Sequence, residues 1–96
     1  MFSVFIDFTV QEGKESLFEK REKKLLEILK KKKGFISYFL FKDSEGNGRY
    51  RGIQLWEDEE SSRASREDEE FKELIRSTPV LKSAPGHRYG MAVELE

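Results

Sequence analysis

One side chain in the sequence titrates near neutrality without help from its surroundings: His87. As a general base it could remove a phenolic or carbon-acid proton. It could equally be a solvated histidine at a strand edge, beside the Pro85-Gly86 turn. Tyr38, Tyr50, Tyr89 and Trp56 could line an aromatic pocket and orient a planar substrate by ring contact and hydrogen bond. The same side chains could pack a sheet face. Arg49, Arg51 and Arg88 could hold a carboxylate or stabilise an enolate or phenolate, or form rim ion pairs. Asp7, if buried, needs a partner such as an arginine. The absence of cysteine excludes disulfides, thiolate metal sites and cysteine nucleophiles. Metal ligation would then need clustered carboxylates, and Glu57–Glu60 is a contiguous helix start, not a convergent set.

These residues must be positioned by local structure. Residues 2–10, FSVFIDFTV, alternate, with Phe2, Val4, Ile6, Phe8 and Val10 on one face, which predicts a strand with one buried side. From Lys14 to Lys33 the period changes to that of a helix, with Leu17, Phe18, Leu25, Ile28 and Leu29 near one stripe. Lys30–Lys33 is expected in its last turn, at the negative end of the helix dipole, with Gly34 as the cap. Residues 35–42 and 49–56 are predicted strands joined as an antiparallel hairpin by the turn Asp43–Gly48. A second helical region runs from Glu57 to Ser77, with a break near Glu67–Asp68, and Pro79 ends it. Residues 87–95 form a fourth strand, with His87, Tyr89, Met91, Val93 and Leu95 on one face.

The order strand–helix–strand–strand–helix–strand predicts an α+β, ferredoxin-like βαββαβ fold: a four-stranded antiparallel sheet with helices on one face. At 96 residues the chain is expected to be one domain, 1–96. Charged residues make up 39% of it, well above the ~25% of ordinary globular chains. Together with one Asn and two Gln, this gives a thermophile-like surface. The net charge of −1 carries no global nucleic-acid footprint. No apolar run approaches a membrane span, and Met1–Val10 does not read as a signal peptide, so the expected location is the cytoplasm. Residues 14–33 hold nine Lys/Arg against four Glu, net +5, whereas residues 57–73 hold nine Asp/Glu against three Lys/Arg, net −6. The simplest account is mutual attraction between neighbouring helices.

Helices can cover one sheet face only. A face carrying Tyr38, Leu40, Tyr50 and Trp56 would be left as a large apolar patch. Face-to-face packing of two sheets in an isologous homodimer would cover it.

The segment KGFISYFLFKDSEGNGRYRGIQLWEDEESSRAS, residues 33–65, resembles the antibiotic biosynthesis monooxygenase (ABM) domain family. The shared features are Gly34-Phe35 opening the second strand, Tyr50 starting the third, Trp56 ending it before an acidic helix start, and Gly13 before the first helix. The resemblance implies a dimeric α/β barrel and, in each subunit, a small-molecule site between helices and sheet. Members include cofactor-independent monooxygenases acting on anthrones and quinols, and haem-degrading enzymes. The haem degraders use a strand-one Asn, where this chain has Ile6, and a Trp and His on the second helical region, which residues 58–77 lack. Haem degradation of that type is therefore not expected.

The expected function is a small-molecule monooxygenase without metal or flavin, acting on an aromatic, quinol-like substrate. His87 would serve as base, and Tyr38, Tyr50, Arg51, Trp56 and Tyr89 would bind substrate. The alternative is a non-catalytic ligand-binding or structural homodimer of the same fold. No cofactor, nucleic-acid or membrane partner is expected in either case.

Overall fold

A computed structural model describes residues 1–96. The elements run β1 (Phe2–Thr9), α1 (Glu15–Leu29), β2 (Phe35–Lys42), β3 (Arg49–Trp56), α2 (Glu59–Arg66), α3 (Glu69–Ser77) and β4 (Gly86–Met91). The four strands form one sheet in the order β2-β3-β1-β4, antiparallel at every pairing. The helices lie on one face, as the ferredoxin-like pattern requires.

The alternation of β1 decides which face is covered. Phe2, Val4, Ile6, Phe8 and Val10 are all buried, and they meet Phe18, Leu25 and Leu29 of α1 in a single core with Tyr50, Trp56 and Val80. The register Phe2↔Trp56, Val4↔Gln54, Ile6↔Gly52 and Phe8↔Tyr50 carries that face across β3. Tyr38↔Gln54 and Leu40↔Gly52 carry it on to β2. Tyr38, Leu40, Tyr50 and Trp56 therefore face the helices, and the expectation that they form the uncovered patch is corrected. The uncovered face instead carries Phe5, Phe39, Phe41, Ile53 and Leu55, with Phe39 and Phe41 each about half exposed. The cause is parity: the open face takes the alternate residues of every strand.

A β-bulge between Phe35 and Ser37 breaks strict alternation in β2. Ile36 is the extra residue, and Phe35 lands opposite Trp56 in an edge-on contact, 5.3 Å between ring centroids. Phe35 thereby joins the face of Tyr38 and Leu40, although simple alternation groups it with Phe39 and Phe41.

Helix boundaries also differ from the sequence reading. α1 ends at Leu29, and Lys30–Lys33 form a turn beyond it, tightened by Lys31 N–H to Ile28 O and Lys32 N–H to Leu29 O. Leu17 points outward and is exposed. Gly34 is not the helix cap. It adopts φ +81° beyond that turn, and a β-carbon there would lie 2.3 Å from Ser61 Oγ. The break in the second helical region falls at Glu67–Asp68, as expected, and the structure supplies the reason: Asp58 caps α2 and Asp68 caps α3. Their side chains accept from Ser61 N–H and Phe71 N–H. The small residues of α2 let it sit close to its neighbours, with Ser62 and Ser65 buried and Ser65 Oγ–H donating to Ser62 O at 2.7 Å. The opposite charges of residues 14–33 and the second helical region resolve to one direct ion pair, made from the turn after α1: Lys32 Nζ to Asp68 Oδ1, at 2.5 Å.

β4 ends at Met91, four residues short of the predicted strand. Its pairing with β1 stops at Phe2↔Met91, and Val93 and Leu95 lie exposed beyond it. No helix is long and apolar enough to cross a membrane.

Candidate functional site

α1 lies over β2 and β3, and between them opens a cavity of about 290 Å³. Leu26 and Leu40 supply apolar wall; Tyr38, Tyr50, Glu19 and Glu22 supply polar groups; Lys23 and Lys42 sit at the rim. Tyr38 O–H donates to Glu22 Oε1 at 2.6 Å, and Tyr50 O–H donates to Glu19 Oε2 at 2.5 Å. Each pair joins the sheet to α1. The spacing suits this: Glu19 and Glu22 are three apart, one above the other on a helix face.

Glu22 is almost fully buried and has a second partner, Arg21 Nε–H, at 2.9 Å. Arg21, equally buried, lies over the ring of Phe18 at 5.2 Å and reaches Thr78 O at 3.5 Å. The buried carboxylate thus has a cation and a phenol as partners, and no buried side-chain polar atom lacks a hydrogen-bond partner. Around Glu19 the arrangement is wetter. Lys42 Nζ lies 3.1 Å from Glu15 and 3.8 Å from Glu19, and 5.8 Å from the centre of the Tyr50 ring.

Burial and the adjacent carboxylates fix the protonation of both phenols. Burial first, then the negative charge of Glu22 and its hydrogen bond, hold the Tyr38 hydroxyl far above the usual tyrosine range. Tyr50 moves the same way, through burial first and then its bond to Glu19. Both remain neutral O–H donors at any physiological pH.

Room for the Tyr38 ring is provided by Gly52 on the neighbouring strand. A β-carbon at Gly52 would lie 2.9 Å from Tyr38 Cε1 and 3.3 Å from Phe8 Cε2. A glycine inside a strand often marks such a close approach.

The structure brings together two of the residues singled out in the sequence, Tyr38 and Tyr50. Trp56 is fully buried, its indole N–H donates to Gln54 Oε1 at 3.1 Å, and it does not line the cavity. Arg51 is on the open face, 2.8 Å from Asp7, whose other oxygen lies 3.4 Å from Arg88. The partner expected for Asp7 is thus a pair of arginines, at an exposed site. His87 and Tyr89 face the helix side but belong to β4, the edge strand opposite β2. Both are exposed, their rings 6.5 Å apart, with Arg66 5.7 Å from the Tyr89 ring. A larger concavity, about 660 Å³, lies at one end of the sheet, where Asp7, Thr9, Phe41, Asp43, Arg49 and Arg51 contribute to its lining. It lies largely along the exposed open face and gathers only one of the tyrosines.

Sequence reasoning missed Glu19 and Glu22. A signal existed for Glu22: positions 18, 22, 25 and 29 follow one helical stripe, and Phe18, Leu25 and Leu29 are its other members. A carboxylate inside an apolar stripe must find a buried partner. No group of three or more His, Asp or Glu side chains converges as a metal site.

A ferredoxin-like sheet with a ligand-sized cleft under its first helix defines the structural class. The chain belongs to the antibiotic biosynthesis monooxygenase (ABM) family, whose model matches residues 1–77. The solved structure of SnoaB, a cofactor-independent oxygenase from Streptomyces nogalater, is similar with a TM-score of 0.86 at 20% identity, covering 97% of this chain and 93% of that one. A protein of Caulobacter crescentus CB15, named as a candidate antibiotic biosynthesis monooxygenase, gives 0.88 at 25% identity over 97% and 90% of the two chains. A conserved protein from Methanosarcina mazei Go1 gives 0.84 at 22% identity over 93% and 89%. No curated protein matches the sequence.

Proposed function

We propose that the protein is a cofactor-independent small-molecule monooxygenase of the ABM type, acting on an aromatic, anthrone- or quinol-like substrate in the cleft between α1 and the β2-β3 hairpin. One observation carries this reading: the cleft joins two neutral phenols to two carboxylates over an apolar floor of Leu26 and Leu40. Such a wall can seat a flat ring and accept its proton.

For an anthrone the steps balance without an external reductant. A cleft carboxylate takes a proton from the ring methylene. The resulting carbanion reduces dioxygen and joins it to form a peroxide, which recovers the proton. The hydroperoxide then loses water, leaving a carbonyl. One methylene and one dioxygen give one carbonyl and one water. Glu19, beside solvent, is the better-placed base, because both oxygens of Glu22 already have partners. His87, expected from sequence as the base, lies outside this cleft, and Arg51, Trp56 and Tyr89 are likewise not among its lining residues.

The open sheet face supports a homodimer. Phe5, Phe39, Phe41, Ile53 and Leu55 form an apolar area that one copy cannot cover, and a second copy packed face to face would bury it. The proposed compartment is the cytoplasm, in keeping with a chain free of cysteine.

The second reading, a structural or ligand-binding dimer without catalysis, is favoured by the fact that both cleft hydroxyls already have protein partners. The test is dioxygen uptake by the purified protein against a panel of anthrones and quinols, with chelator present. Saturable uptake above the protein-free rate supports the monooxygenase. Uptake no faster than that rate across the panel favours the second reading.

A further inference from the structure

The lysines around α1 are scarcely spent on the acids of the neighbouring helices. Of the nine cations in residues 14–33, Arg21, Lys30 and Lys32 pair with Glu22, Glu27 and Asp68. Lys33 shares a shallow concavity with Asp58. Lys14, Lys20, Lys23, Lys24 and Lys31 are exposed and join no ion pair. Lys20 and Lys24 lie one turn apart on α1, with Lys23 beside them, and Lys31 follows in the turn beyond its end. The second helical region has the opposite surplus. Glu59, Glu67 and Glu73 pair within it, with Arg63, Lys72 and Arg76. Glu57, Glu60, Glu69 and Glu70 are exposed and join no ion pair.

We infer that the helix layer is a self-association surface, on which the lysine ridge of α1 in one copy docks against the acidic α2–α3 surface of another. Charge complementarity picks the occupant. α1 packs beside α3, so both signs lie next to each other on one face of the molecule. A polyanion laid along α1 would run beside the carboxylates of α3. A second copy of the chain offers both signs at once. With a two-fold axis between the two layers and along α1, each ridge meets the other copy's acids, and the contact is made twice. An axis across α1 would set lysine on lysine. Exposed ion pairs are weak singly and contribute when several form a network. Such an association weakens steeply with salt. The surface lies on the opposite side of the molecule from the apolar sheet face, and its use requires neither the dimer proposed there nor catalysis.

The test is sedimentation equilibrium of the intact protein at low and high salt. At about 0.01 M the Debye length is about 30 Å, and at about 1 M it is about 3 Å. The wild type is expected to have the larger mass at low salt, with an association constant at least about tenfold greater there. An apolar sheet-to-sheet contact is not weakened by salt in this way, so the two interfaces are separable. Lys20→Glu with Lys24→Glu should abolish the salt-sensitive association. So should Glu69→Lys with Glu70→Lys, the fold of each variant being checked by circular dichroism. An equimolar mixture of the two double variants should regain it, because reversed ridge then meets reversed acids and native ridge meets native acids. A wild-type mass that does not change with salt overturns the inference. Variants that still associate at low salt, or a mixture that does not, overturn it too. Retention on heparin of a wild type whose mass ignores salt would assign the ridge to a polyanion and likewise overturn it. Association at low salt with a single-chain mass at high salt would leave the inference standing and remove the sheet-to-sheet dimer, so the two fail separately.

Discussion

The Tyr38 ring rests against Gly52, one strand away, so closely that a single added methyl group on Gly52 would lie 2.9 Å from Tyr38 Cε1 and 3.1 Å from its hydroxyl oxygen. The backbone of β3 thus sets the height of the phenol above the sheet, and with it the 2.6 Å bond to Glu22.

Gly52→Ala is accordingly expected to displace Tyr38 from its present seat and distort that bond. Overpacking of this kind costs about 1–3 kcal/mol. Urea unfolding measures the loss. Dioxygen uptake with the anthrone and quinol panel should fall in the same variant, because the cleft wall moves.

Breaking the buried pair is expected to cost more than replacing it. Glu22→Ala leaves Arg21, itself 4% exposed, as an unpaired buried cation, at about 3–5 kcal/mol. The double variant Arg21→Met with Glu22→Leu removes both charges and should recover much of that loss. A double variant no more stable than the single one would mean that the salt bridge is not what Glu22 contributes.

Stability should fall on the alkaline side through the tyrosines. Both phenols have folded values raised above the ordinary value of 10.0, so the folded state holds these protons more tightly than the unfolded chain does. Their contribution is intact below pH 10 and is lost progressively as pH rises above it. Denaturant unfolding at pH 9 and pH 11 checks this. Tyr38→Phe should reduce the difference between the two, and adding Tyr50→Phe should reduce it further.

Phe39→Glu places a charge at the middle of the open sheet face, opposite Ile53. Sedimentation equilibrium should give twice the chain mass for the wild type and the chain mass for this variant. The fold, followed by circular dichroism, should be unchanged, since Phe39 takes no part in the core.

Gly34 and Gly13 separate strain from close packing. Both have φ near +80°, but a β-carbon at Gly13 meets nothing within 4 Å, whereas one at Gly34 meets Ser61 Oγ at 2.3 Å. Gly13→Ala should cost only the left-handed penalty, roughly 1–2 kcal/mol. Gly34→Ala should cost more, and Ser61→Gly in the same chain should return the excess. Thermal unfolding of the three proteins decides.

Legibility in the sequence followed the range of the interactions concerned. The inward set of β1 could be read because alternation is local, and the helix break at Glu67–Asp68 because Asp68 caps the next helix within three residues. The choice of sheet face could not be read from β2 and β3. Both of their faces carry apolar side chains, and only the register with β1 separates Tyr38 from Phe39. The cleft was half legible: its tyrosines are conspicuous, but their carboxylate partners lie 16 and 31 residues away on a helix full of charge. Only Glu22, inside an apolar stripe, stood apart there. Val80 joined the core from a segment without periodicity, since its burial follows from backbone bonds to β1 and the turn after it, Gln11 N–H to Val80 O and Lys82 N–H to Thr9 O.

The bulge at Ile36 bears on how the family can vary in length. Ordinarily, losing one residue from a strand turns every side chain beyond the loss to the opposite face. In β2 the surplus residue is already present, between Phe35 opposite Trp56 and Ser37 opposite Leu55. Deleting Ile36 would leave those two pairs in ordinary alternation, with Tyr38 still turned to the cleft and Phe39 to the open face. Position 36 is therefore where β2 can shorten by one residue without changing the sidedness of the strand.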